Sequence, residues 1–167
     1  MKLFALYLTA LLAVLVQVTF LGGSFTFNLV LAVIVVSTLQ FRASDIAPIA
    51  IFSGLLLDLH AGTFFGFNII FLLFASITAK YVLHLGERVV GFWNVMITLG
   101  LLEILYLFIQ LVMVFSAERF RQLSTYFVSG LTQLLLTLLA GAVLYMAAIW
   151  LQNYQVSGQA KKRWLRG

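Results

Sequence analysis

The chain has 167 residues, 63% of them hydrophobic and 9% charged, with ten Lys and Arg against five Asp and Glu. A soluble domain carries roughly a quarter of its residues as charges; so few charges, with a mean hydropathy of +1.12, exclude a water-soluble globule and a disordered chain. What remains is an all-α polytopic membrane protein. Cysteine is absent, which excludes a disulfide framework, a thiol nucleophile and a thiolate metal site. The net charge of +5 is not read as a nucleic-acid footprint, because the placement of the charges along the chain says more than their sum.

About 20 apolar residues cross the hydrocarbon as a helix. Six such runs are expected, at residues 3–21, 25–41, 46–60, 64–83, 92–115 and 126–151. The first is interrupted only by Tyr7, Thr9, Gln17 and Thr19 and ends at Gly22-Gly23-Ser24. It follows Lys2 as a signal peptide would, but it is long, lacks an A-x-A site and is followed by further spans. Arg42, Ser44 and Asp45 separate the second span from the third, with Pro48, the single proline, expected in that helix's first turn. The third span carries Asp58, and His60-Ala61-Gly62-Thr63 reads as a tight turn into the fourth. Lys80, His84, Glu87 and Arg88 end the fourth span, and Glu103 lies in the middle of the fifth. Glu118, Arg119 and Arg121 precede the sixth, and residues 152–167 form a basic tail outside the 1–151 transmembrane domain.

Six spans put both termini on one side. If that side is cytoplasmic, Lys2, Arg42, Lys80, Arg88, Lys161, Lys162, Arg163 and Arg166 are inside and only Arg119 and Arg121 outside, as the positive-inside rule expects. The tail Lys161-Lys162-Arg163-Trp164 reads as a stop signal resting on anionic headgroups, with a docking site for a cytosolic partner as the alternative.

On this topology Gln17, Asp58, Asn68, Gln110 and Gln133 fall in the outer half of the bilayer, with Glu103 and Thr137 just beneath them. Helical spacing groups Gly54, Asp58 and Gly62 on one face of the third span. Glu103, Tyr106 and Gln110 share a face of the fifth, and Gly130, Gln133, Thr137, Gly141 and Tyr145 form a stripe on the sixth. For the glycines and threonines a packing seam is the plain reading. A carboxylate is different, since it costs about 3 kcal/mol at the bilayer centre on insertion scales. Asp58 escapes that cost by reaching the interface or by pairing with His60; Glu103 is either protonated or paired across the bundle. No nucleophile or base is poised beside either, no metal-ligand set is evident, and hydrolase, zincin and P-loop motifs are lacking, so no enzyme and no cofactor are expected.

The segment Gly54-Leu55-Leu56-Leu57-Asp58-Leu59-His60-Ala61-Gly62-Thr63-Phe64-Phe65-Gly66-Phe67-Asn68 resembles the central signature of the MreD family of bacterial rod shape-determining proteins. The short loops, the apolar second span opened by Asn28 and the basic loop around Arg42 are similar in plan, although proline is the family's expected residue where Asn28 stands. The resemblance implies a non-enzymatic subunit of the cell-elongation machinery in the bacterial inner membrane. Its partner would be the bitopic protein MreC and, through it, the actin-like MreB filament, RodA and a class B penicillin-binding protein. Gly54, Asp58, Gly62, Gly66 and Asn68 would serve structure or an interface. The implied fold is similar to the compact six-span substrate-capturing subunits of energy-coupling-factor transporters. A small-molecule-binding transporter subunit, its pocket open to the periplasm, is therefore the alternative function.

Overall fold

The computed structural model describes residues 2–21, 28–61, 65–84, 91–114 and 123–164. Gly22, Gly23, Ser24, Gly62, Thr63, Glu87, Arg88, Glu118, Arg119, Arg121 and Arg166, all singled out in the sequence, lie outside the described residues. Six helices account for the rest: α1 (Lys2–Leu21), α2 (Leu29–Ser37), α3 (Ala43–Ala61), α4 (Phe67–His84), α5 (Phe92–Val114) and α6 (Leu123–Trp164). No strand occurs among the described residues. In hydrocarbon every backbone N–H and C=O must find its partner within the protein, and the helix is the local solution. Four stretches are long and apolar enough to cross a membrane: Ala43–His60, Phe67–His84, Phe92–Val112 and Tyr126–Leu151. The apolar stretch of α1, Leu3–Thr19, is shorter.

The arrangement is an arc around a central helix. α2 touches all five others, while its neighbours meet in the order α1, α3, α4, α5, α6; among the described residues α1 and α6 do not meet. Every residue from Val30 to Val36 is buried, so α2 is apolar all round because it has no face to give to lipid. The outer faces of the other helices are the reverse, with Leu131, Leu135, Leu139 and Val143 forming an exposed apolar stripe on α6. Cross-helix hydrogen bonds join late parts of some helices to the starts of others. Late α1 bonds to the start of α2 through Gln17 and Val30, and late α5 to the start of α4 through Tyr106 and Asn68.

Two boundaries depart from the sequence reading. Of the second apolar run, expected as one span over 25–41, the described part 28–41 is helical over nine residues, about 14 Å, less than half the hydrocarbon thickness. Its C-terminal end is closed locally, where the Ser37 and Thr38 hydroxyls donate to the carbonyls of Val33 and Val35 at 2.6 and 2.7 Å. Pro48 lies inside α3, which begins at Ala43, rather than in its first turn; its ring is exposed, and it removes the intrahelical N–H that would meet the Ser44 carbonyl. The expected sixth span agrees with the apolar stretch Tyr126–Leu151, and α6 continues as helix through the polar tail to Trp164, about 20 Å beyond Leu151.

Candidate functional site

Six of the ten buried polar side chains among the described residues, Asn28, Asp58, Asn68, Glu103, Gln133 and Thr137, gather into two centres, both joined to helix N-termini. The first is built on the α3–α4 hairpin. Gly54 allows the two backbones to touch: a Cβ there would stand 2.6 Å from both the Cα and the N of Ile69. Gly66 turns the chain into α4 with a φ of +97°, in the left-handed region that glycine occupies without strain. This geometry lays the start of α4 over Asp58, one turn beyond Gly54. Asp58 Oδ2 accepts the Gly66 N–H at 2.9 Å and, more distantly, the Ile69 N–H at 3.5 Å. Its Oδ1 accepts both the backbone N–H and the side-chain amide of Asn68 at 2.9 Å. Asp58 is therefore the N-terminal cap of α4, supplied by the preceding helix, and it meets both the orphan N–H groups and the positive end of the helix dipole.

The cap is extended by α5. Tyr106 donates from its hydroxyl to Asn68 Oδ1 at 3.0 Å, its ring held by Phe67 and Phe71 at centroid separations of 5.6 and 4.8 Å. His60 is exposed, and the carboxyl oxygens of Asp58 are given to α4. The cost of burying this acid is met by α4, not by an imidazole.

The second centre lies across α5, α6 and the start of α2. Glu103 is fully buried, and its Oε1 accepts the Gln133 side-chain amide at 2.7 Å. Its Oε2 is buried with no hydrogen-bond partner among the described residues. Asn28 and Thr137 flank the same carboxyl group. Both are engaged with the start of α2: Thr137 Oγ1 accepts the Asn28 N–H at 3.0 Å, and Asn28 Oδ1 accepts the Leu31 N–H at 3.1 Å. Gln17 adds a third acceptor, taking the Val30 N–H at 3.1 Å. The face shared by Glu103 and Tyr106 in the sequence is thus divided, with Tyr106 serving α4 and Glu103 serving α6.

Gln110 is half-buried and stands beside the Tyr106 hydroxyl, at the edge of the first network. With Ser129, Gly130 and Gln133 it borders a groove of about 510 Å³ between α5 and α6, whose other walls include Ile104, Leu107 and Phe127. A second groove of about 550 Å³, between α4 and α5, is walled by Phe65, Phe67, Phe71 and Phe74.

Sequence reasoning missed the role of Lys80, which it assigned only to the end of a span. Its ammonium donates to the carbonyls of Thr38 and Phe41 at 2.8 and 2.9 Å, closing the C-terminal end of α2 with a cation, as the helix dipole favours. Asn28 was likewise read only as the residue opening a span. The available signal was its place directly before a continuous apolar run, which marks an N-cap. Comparison with family models, with curated proteins and with solved structures gives no match to this chain.

Proposed function

We propose that the chain is a non-enzymatic membrane subunit of the MreD type in the bacterial cell-elongation complex. In this reading it sits in the inner membrane with six crossings and both termini cytoplasmic, and it acts on lateral peptidoglycan synthesis and cell shape through an MreC-like bitopic partner. The observation that carries the reading is the use made of the signature residues. Gly54, Asp58, Gly66 and Asn68 are all consumed in joining α3 to α4, and both oxygens of Asp58 are occupied by the start of α4. A motif spent in this way builds a rigid helical hairpin for presentation to a partner; it leaves no acid free for chemistry. Contacts with a partner then fall to the lipid-facing helices and to the basic end of α6.

The test is co-purification from membranes in mild detergent, with bound proteins identified by mass, combined with depletion in a rod-shaped cell. A single-span MreC-like partner and rounding of the cells are the expected results. Normal rods that have lost uptake of a small nutrient would overturn the reading in favour of the second one. That second reading, a substrate-binding subunit of a transporter, draws on the α5–α6 groove, which offers Gln110, Ser129 and Gln133 within apolar walls.

A further inference from the structure

Two helices begin in the same polar region, and their N-termini are capped differently. At α4 the free N–H groups go to a carboxyl group, Asp58, whose two oxygens both act as acceptors. At α2 they go to neutral oxygens, those of Asn28, Gln17 and Thr137, although the Glu103 carboxyl stands beside two of these residues. An ionised carboxylate at that position would be expected to take some of those N–H groups itself, because charge-assisted bonds are the stronger ones. Glu103 takes none of them. Its Oε1 receives the Gln133 amide, the Thr137 and Asn28 side chains stand beside the carboxyl group, and its Oε2 is enclosed without a hydrogen-bond partner among the described residues.

We propose that Glu103 is a proton-binding site within the membrane interior, holding its proton on Oε2 and sharing it with the oxygens of Thr137 and Asn28. Each of these oxygens already accepts a backbone N–H and keeps a lone pair for a second donor. An O–H at Oε2 supplies that donor and removes both the unpartnered acceptor and the buried charge together. The proton then links α5 to α6 and to the cap of α2.

Among the described residues no other charged group supplies the compensation. On α4, Lys80 is spent on the far end of α2, His84 is paired with the Lys80 carbonyl, and Tyr81 is exposed. On α6, Tyr126 borders the groove, and Tyr145 packs on Phe92 at the other end of α5. α2 has no titratable residue, and Asp58 reaches this region only through Asn68 and Tyr106. Gln133 both bonds Glu103 and borders the α5–α6 groove, so that one side chain stands between the site and that groove. The proposal stands independently of the partner reading above.

Infrared spectroscopy of the full chain in lipid nanodiscs at neutral pH tests it. The expected result is a carbonyl band of a protonated carboxylic acid that shifts when glutamate is isotopically labelled and stays when aspartate is labelled. Glu103→Gln abolishes the band; Asp58→Asn leaves it. An apolar carbodiimide, which reacts with protonated carboxyl groups in membranes, modifies Glu103 and spares Asp58. Absence of the band in the native chain, or a band that moves with labelled aspartate, overturns the proposal. The isotope arm requires no variant to fold.

Discussion

Asp58 and Glu103 are both acids buried in an apolar bundle, close enough that Tyr106 lies between their networks, yet the protein accommodates them in opposite ways. Asp58 is met by backbone: three N–H groups of the α3–α4 turn and the start of α4 surround it, with the Asn68 amide as a fourth donor. Glu103 is met by the side chains of Gln133, Thr137 and Asn28, while one of its oxygens has no hydrogen-bond partner among the described residues. The helices around each acid pack in corresponding ways. At Gly54 backbone lies on backbone, whereas at Gly141 the space a Cβ would need is taken by the end of the Leu99 side chain. The difference separates a site that is rigid because it is built from main chain from one that can adjust because it is built from rotamers.

Mutations at matched positions put this to the test. Gly54→Ala has the largest expected effect, about 3 kcal/mol, since neither backbone can yield without separating α3 from α4. Gly141→Ala should cost no more than about 1 kcal/mol, as Leu99 has other rotamers. Thermal unfolding in mild detergent measures both, and equal losses would remove the distinction between main-chain and side-chain packing. Asp58→Ala comes next. Leaving the start of α4 uncapped and its N–H groups unmet should cost about 2 kcal/mol, with faster hydrogen exchange at Gly66, Asn68 and Ile69 as the local signature.

Tyr106→Phe removes one bond to the first network and should cost about 1 kcal/mol, with the stacked rings otherwise keeping their places. Glu103→Gln has the smallest expected effect, within about 0.5 kcal/mol, because glutamine has the shape and the neutrality of a protonated glutamate. If it proved as costly as Asp58→Ala, Glu103 would belong with Asp58 as an anion held by its donors, and the comparison would fail.

Much of this was legible in the residues. Apolar runs at helical length marked α1, α3, α4, α5 and the membrane part of α6 because hydrocarbon demands both features at once. The expense of a charge in lipid singled out Asp58 and Glu103 before any contact was known. The Gly54–Asp58 spacing placed both residues on one face of α3, which is the face that α4 covers. The length of α2 was not legible. Its run of Val and Ile is as apolar as a full span, and what shortens it is the set of partners at its ends, Gln17, Thr137 and Lys80, drawn from three other helices.

Composition and periodicity alone determined that the chain is helical, that its helices belong in a membrane, and which few acids require an account. They do so because solvent acts on every residue locally and leaves its mark in the order of side chains. Only the tertiary structure decided which helix is central and which partner each acid takes. Asp58 turned to the start of α4 instead of to His60, and Glu103 to Gln133 with an oxygen to spare. Those choices depend on how helices far apart in sequence meet, and a polar side chain in lipid bonds to whichever neighbour the packing sets beside it.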